Sequence, residues 1–180
     1  MTAAPDYADA ILGWRLWSLV PQGYDWRLRS VVVSNVWRPG AELVATCNQD
    51  PHRVAHHSPH LQCTCGIYAT DDPESVREYV GMGLFPRVLG QVALWGTVVE
   101  CEHGWRAQRA YPSRLYVPVC SQRWPPSSAS EQLARSLAMA YGVPVDLIRV
   151  VIPDHTTPTR KARLAQTLTQ WRHRVEIPGS

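Results

Sequence analysis

The sequence predicts an α+β protein: a small, mostly antiparallel β-barrel or sandwich with a metal-ordered loop and C-terminal helices. Three observations lead to this prediction. Short apolar strands separated by turn signals fill the first two thirds of the chain, a Cys/His-rich loop interrupts them, and the longer helical patterns lie in the last third. With 180 residues, 45% of them apolar and 18% charged, the chain can bury a sizeable core and is too apolar to be largely disordered.

The N-terminal third predicts a β-meander. Trp14, Trp26 and Trp37 recur at intervals of 12 and 11 residues, each followed by Arg, and turn signals lie between them at Pro21–Gly23 and Ser34–Asn35. Because neighbouring side chains of a strand point to opposite faces, each Trp-Arg pair can place an indole inside and a guanidinium outside. The alternative is a stacking surface for bases, built from the same Trp and Arg side chains.

Strand signals continue on both sides of a polar loop at 47–65. Glu42–Thr46 and Gly66–Ala69 predict a short strand before and after this loop. The dipeptide Asp72-Pro73 predicts the start of a short helix over 73–80, because Asp caps free backbone N–H groups and Pro tolerates the first helical position.

The clearest signal is a β-hairpin. Gln91–Cys101 alternates along a strand, Glu102–Gly104 supplies a turn with a glycine for a left-handed position, and Trp105–Ala110 returns. Tyr111–Ser113 contains a proline and predicts a bend before one more strand, Leu115–Val119.

The C-terminal third predicts two helices and one strand. Ser128 and Glu131 form a capping box, and the helix that they start ends at Gly142. Leu147–Ile152 is the strand candidate, and the second helix begins at Thr157-Pro158. The apolar face of this second helix carries Leu164, Leu168, Trp171 and Val175. We therefore expect a β-rich domain over 1–120, a connector with a helix and a short strand packing on it over 121–155, and a basic amphipathic helical tail over 156–180.

The loop at 47–65 contains the residues with the clearest chemistry. Cys47, Cys63 and Cys65 supply three thiols, and His56 from the same loop can complete a set of four ligands. Structural zinc takes four soft or borderline ligands in a tetrahedron, and a long polar loop in a small domain needs something to order it. The sequence therefore predicts a structural zinc ion bound by Cys47, His56, Cys63 and Cys65.

Other interpretations of the loop stay open. The histidine ligand can instead be His60, and after it His52 or His57. The loop can also be a solvated His-rich segment with free thiols, or a catalytic metal site with an open position. Cys101 and His103 at the hairpin turn can complete the site, act as a thiol-imidazole pair, or be incidental.

Several enzyme classes lack their motifs. The sequence contains no Walker loop, dinucleotide fingerprint, H-E-x-x-H or G-x-S-x-G motif, and it lacks the P-C-x-x-C of zinc deaminases. No apolar run approaches the ~20 residues of a membrane span. The N-terminus lacks the pattern of a signal peptide, so we expect a cytoplasmic protein with reduced thiols.

The predicted tail is basic. Residues 156–180 carry five basic side chains and one acidic side chain, which gives +4, so the other 155 residues sum to −1 within a formal net charge of +3. Such a helix can contact phosphates, an acidic partner or a membrane surface, or its Leu/Trp stripe can dock on the domain while the basic side chains are solvated. The candidate contacts for nucleic acid or another anion are Arg160, Lys161, Arg163, Arg172 and Arg174.

Two stretches resemble a known group of sequences. One runs His56-x-x-Pro-x-x-x-Cys-x-Cys-Gly-Ile-Tyr-Ala, and the other runs Gly90-x-Val-x-Leu-Trp-Gly-x-Val-x-Glu, followed by Gly104-Trp-Arg-Ala. Over roughly residues 12 to 118 the chain resembles uncharacterised small proteins of actinobacteria and their phages. The resemblance implies no activity, but it favours His56 over the other histidines because His56 is the one in the shared motif.

These observations lead to one leading hypothesis and one alternative. The leading hypothesis is a non-catalytic, zinc-stabilised binding module that contacts nucleic acid or a protein partner. The alternative is a small metal-dependent or thiol enzyme, hydrolase-like, that uses the Cys/His loop together with the Cys101/His103 turn.

Overall fold

Seven strands and two helices occur in the residues that the structure describes. The structure is a computed structural model, and it describes residues 10–47, 56–77, 87–119 and 127–149. The elements in chain order are β1 (Ile11–Gln22), β2 (Asp25–Ser30), β3 (Leu43–Val44), β4 (Ile67–Ala69), α1 (Glu74–Arg77), β5 (Arg87–Cys101), β6 (Gly104–Val119), α2 (Ser127–Tyr141) and β7 (Val145–Arg149).

The strands form one mixed sheet in the order β2-β1-β5-β6. The outer edge of β6 is shared by three short strands, with β4 paired at residues 105–107, β3 at 109–110 and β7 at 115–119. Every pairing is antiparallel except that of β6 with β7, which follows α2 in the chain. The strand-rich, mostly antiparallel character predicted from the sequence is confirmed.

The sheet is not closed, so the predicted barrel is not supported. β4 reaches β1 through a single bridge, in which Trp14 and Thr70 exchange two backbone hydrogen bonds of 2.7 and 2.9 Å. β4 has three residues, which is too short to continue this bridge into a ladder. The described strands also lie in one sheet instead of the two layers of a sandwich.

The predicted hairpin is confirmed and is longer than expected. β5 and β6 pair along almost their whole length. Gly104 in the turn has a φ of 132°, and a Cβ there would lie 2.2 Å from the carbonyl oxygen of Ala69, so only glycine fits. The bend predicted at Tyr111–Ser113 is instead a register shift opposite Gln91, within one continuous strand.

The main core lies on one face of the sheet, against α2. Trp17 and Trp37 are fully buried there, with their ring centroids 5.5 Å apart in an edge-to-face contact. Leu137 and Tyr141 of α2 belong to the same cluster. The Tyr141 hydroxyl accepts a hydrogen bond from the N–H of Leu28 (2.9 Å) and donates one to the carbonyl of Trp37 (2.8 Å). These two bonds tie the helix to the edge of the sheet.

The first Trp-Arg pair is arranged in the opposite way from the prediction. Arg15 and buried Trp17 are two residues apart in β1, so their side chains lie on the same face of the sheet. The Arg15 guanidinium lies 5.3 Å from the ring centroid of Trp37. Trp14 lies on the other face, stacked on Tyr116 with 5.8 Å between the ring centroids. β1 is an interior strand with an apolar cluster on each face, so an indole can be accommodated on either side.

The two described helices lie where the sequence predicts them. The Asp72 carboxylate caps α1 by accepting hydrogen bonds from the N–H groups of Glu74 (3.0 Å) and Ser75 (3.1 Å). α2 starts one residue before the predicted position, and β7 starts two residues before it. The predicted continuation of α1, the residues beyond β7 and the tail over 156–180 lie outside the described residues. Within the described part of the chain, no helix has both the length and the apolar character needed to cross a membrane.

Candidate metal centre

The edge of β6 brings the two ends of the Cys/His loop together. β3 and β4 follow one another along this edge, because both run antiparallel to β6 and pair with neighbouring stretches of it. The N–H of Ala45 donates to the carbonyl of Gln108 (2.7 Å), and Ile67 pairs with the preceding residue of β6. Cys47 and Cys65 each lie two residues from these anchors, so the loop leaves and rejoins the sheet at one place.

Four donor atoms meet above this point. The Sγ atoms of Cys47, Cys63 and Cys65 and a ring nitrogen of His56 all lie within 4.8 Å of one another. The Sγ atoms of Cys47 and Cys63 are 3.7 Å apart, and the Cys65 Sγ lies 3.4 Å from the His56 Nε2. The three thiols are free, Cys63 and Cys65 are buried, and Cys47 and His56 are half-buried. This cluster could hold a metal ion.

Two of the six donor separations can be compared with those of a tetrahedral zinc ion. With Zn–S distances of about 2.3 Å and a Zn–N distance of about 2.0 Å, a tetrahedron places two sulfurs about 3.8 Å apart and a sulfur and a nitrogen about 3.5 Å apart. The observed distances of 3.7 and 3.4 Å are close to both values. Three thiols and an imidazole are also soft or borderline donors, unlike the oxygen donors that Mg²⁺ and Ca²⁺ prefer.

Local hydrogen bonds shape the Cys-x-Cys turn. The N–H of Cys63 donates to the carbonyl of His60 (3.0 Å), which closes a turn just before the first ligand of the pair. The hydroxyl of Tyr68 reaches back and donates to the carbonyl of Thr64 (2.5 Å). Burial raises the pKa of Tyr68, so this phenol stays a neutral donor at physiological pH.

Arg106 on β6 underlies the loop. Its side chain is buried, and its Nη1 donates to the carbonyl oxygens of Cys63, Cys65 (3.0 Å) and His60 (3.5 Å). Gly66 makes this approach possible, because a Cβ at its φ of 130° would lie 3.0 Å from the Cβ of Arg106. The sequence does not identify Arg106 as a residue of the site. It is a charged residue within the predicted return strand of the hairpin, and no motif spacing connects it to the loop.

The other histidines of the loop are placed differently from His56. The His60 ring lies against the His56 ring, with centroids 4.8 Å apart, and its Nδ1 accepts a hydrogen bond from the N–H of Gln62 (3.2 Å). His57 is exposed, and His52 lies outside the described residues. His60 also borders an open cavity of about 350 Å³ between the loop and β5. Of the described histidines, His56 is the one in the donor cluster.

Cys101 and His103 do not join the donor cluster in the described part of the chain. The Cys101 Sγ lies 3.8 Å from the carbonyl oxygen of Val99, and His103 lies 3.5 Å from the exposed carboxylate of Glu102. The hairpin turn therefore supplies no further donor to the four. The five candidate anion contacts, Arg160, Lys161, Arg163, Arg172 and Arg174, lie outside the described residues.

Comparison of the chain with protein-family models, with curated proteins and with solved structures finds no match. The four donors are therefore the feature of the described residues that bears most directly on function.

Proposed function

We propose that the chain is a non-catalytic binding module stabilised by one structural zinc ion, with Cys47, His56, Cys63 and Cys65 as its ligands. The observation that supports this most directly is the agreement of the two measured donor separations with those of a zinc tetrahedron. The donor set of three sulfurs and one imidazole nitrogen is also one that structural zinc sites use.

The number of protein donors favours a structural role over a catalytic one. A catalytic zinc keeps one position for water or substrate and takes three protein ligands, whereas this cluster offers four. The enzyme hypothesis also depends on Cys101 and His103, and their described contacts are directed to a backbone carbonyl and to a surface carboxylate. The metal is therefore proposed to hold the loop in place.

The stability of the loop would depend on the metal because only short strands join its two ends to the sheet. β3 and β4 contribute only two and three residues to the sheet. A metal that binds the folded loop and not the unfolded chain adds its binding free energy to folding. In this proposal zinc joins β3 to β4 across the sequence separation of 16 positions from Cys47 to Cys63.

Metal analysis of the purified chain tests the zinc centre. We expect about one zinc per chain, and a cobalt-substituted protein with the absorption of a tetrahedral thiolate site. Cys63→Ser should lose the metal, whereas Cys101→Ser, which removes a thiol outside the cluster, should keep it. A reduced wild-type protein that binds no zinc, or a Cys63→Ser variant that binds it normally, would overturn the proposal.

The partner that we propose is a nucleic acid, contacted at its phosphates by the basic residues of 156–180. The segment carries five basic side chains and one acidic side chain, and this positive charge supports the proposal. Binding to a duplex should weaken with salt, with a log–log slope as steep as about −4.5 if all five residues contact phosphates. Truncation after Asp154 should abolish this binding and leave the zinc content unchanged. Nucleic-acid binding that does not weaken with salt, or that persists after truncation, would exclude the tail as the contact surface. If the chain binds no nucleic acid, a protein partner is the remaining hypothesis.

A further inference from the structure

Arg106 is a buried cation with no anionic partner among the described side chains. It is 6% exposed, and its hydrogen bonds go to backbone carbonyl oxygens of the loop. The ion pairs of the described residues involve other groups, and none includes Arg106. A guanidinium is positively charged at physiological pH, so a buried one carries its charge into a poorly solvated place. Burying such a charge is costly unless an opposite charge lies nearby.

The metal centre is a candidate for that opposite charge. The carbonyl oxygens that Arg106 binds belong to Cys63, Cys65 and His60, so two of its three acceptors lie on cysteines of the cluster. A divalent ion bound by three thiolates and a neutral imidazole carries a net charge of −1. With the positive charge of Arg106 included, the net charge of the metal, its four ligands and the arginine would be zero.

We propose that Arg106 is the counter-charge of the metal centre, a positioning residue that holds the loop in the conformation that binds a divalent ion. This inference rests on the proposed zinc centre. The hydrogen bonds that Arg106 donates to backbone carbonyls orient the Cys-x-Cys turn, and the charge of Arg106 offsets that of the cluster with its metal bound. Without the metal centre, no described side chain forms an ion pair with this buried cation. The residue therefore strengthens metal binding while it weakens the metal-free fold.

Two substitutions separate charge from hydrogen bonding. Arg106→Gln removes the charge and leaves a shorter side chain with an amide donor, whereas Arg106→Lys keeps the charge on a single ammonium donor and loses the forked geometry. We expect Gln to lower zinc affinity by about 10- to 100-fold, the usual range for residues that support a metal ligand, and Lys to lower it by less than about 3-fold. The measurement is competition for zinc against a chromophoric chelator, with the full chain.

A matched control comes from the same strand. Arg114 is half-exposed and forms a surface ion pair of 3.1 Å with Asp146, so Arg114→Gln should leave zinc affinity unchanged. A second measurement uses thermal unfolding in excess chelator. In chelator, Arg106→Gln should unfold at the same temperature as the wild type or at a higher one. The addition of zinc should raise the unfolding midpoint of the variant by less than it raises that of the wild type.

Each outcome decides between the proposal and a purely structural role. Equal losses of affinity for Gln and Lys, or no loss for Gln, would overturn the proposal. It also fails if Arg106→Gln unfolds below the wild type in chelator, since a hydrogen-bonding role alone predicts that result. A wild-type chain that binds no zinc would instead refute the zinc centre itself, so the two failures are distinguishable.

Discussion

Two arginines on the sheet, Arg106 which is buried and Arg15 which is half-buried, have different surroundings. Each donates to backbone carbonyls, and no described ion pair includes either of them. Arg15 faces the ring of Trp37 at 5.3 Å and donates to the hydroxyl of Ser30 at 3.0 Å, while its Nε has no hydrogen-bond partner. Arg106 lies beneath three thiols and an imidazole.

The two arginines differ in what surrounds their charge. Around Arg15 the compensation comes from fixed dipoles and from the face of an indole, which are present in every state of the folded chain. Burial lowers the pKa of Arg15 to about 10, so this compensation is incomplete. Around Arg106 the proposed compensation is the metal centre, which can be removed. Substitutions near Arg15 should therefore act independently of zinc, and those near Arg106 should not.

Removing the metal should give the largest effect, confined to the loop region. In chelator we expect the amides of Cys63 and Ile67 to lose protection from hydrogen exchange by more than about 5 kcal/mol, because structural zinc binds with an apparent ~10–16 kcal/mol. The amides of Val88, Val92 and Leu94 in β5, whose side chains lie in the main core, should keep most of their protection. Residue-resolved exchange by NMR provides the measurement. Equal losses in both regions would show that the loop and the core unfold as one unit.

Trp37→Ala should give the next largest effect, and it should not depend on zinc. The indole is 1% exposed, packs edge-to-face on Trp17, and donates from its Nε1 to the Ser30 hydroxyl at 2.9 Å. Truncating it leaves a cavity in the core, so we expect a loss of about 3–5 kcal/mol in the free energy of unfolding. Val36→Ala, at a side chain that is 41% exposed, is the control and should cost less than about 0.5 kcal/mol.

Denaturant titration with and without chelator tests the independence of the two regions. The Trp37→Ala loss should be the same in both conditions when chelation leaves the core folded. A loss that grows or shrinks by more than about 1 kcal/mol with zinc would mean that the core and the metal centre are coupled.

The strands and the donor cluster could be predicted because both depend on local patterns. Alternation and turn residues located the hairpin at 91–110, and the spacing of thiols pointed to Cys47, Cys63 and Cys65 before any contact was known. The way that Cys47 reaches the other two was not predictable. It depends on β3 and β4 pairing with neighbouring stretches of β6, which is a matter of register between distant segments.

Arg15 and Arg106 show where local patterns fail. The period of two along β1 correctly separates alternate side chains, but it does not say which face is more deeply buried when apolar residues lie on both. The expectation that each Trp-Arg pair points its guanidinium to the solvent is therefore wrong for Arg15. Arg106 was missed because its importance comes from the loop that covers it, and the residues of that loop lie more than 40 positions away.

Arg15→Met should give the smallest effect and so complete the contrast with Arg106. The substitution loses the hydrogen bonds to Ser30 and to the carbonyl of Tyr68, and it removes a poorly solvated charge, so we expect a net change within about 1 kcal/mol. Because the pKa of Arg15 is lowered in the fold, stability would rise only as the pH climbs above about 10. The difference between variant and wild type should therefore be constant between about pH 6 and pH 9. Zinc affinity should stay within about 2-fold of the wild type, and a drop as large as that expected for Arg106→Gln would remove the distinction between the two arginines.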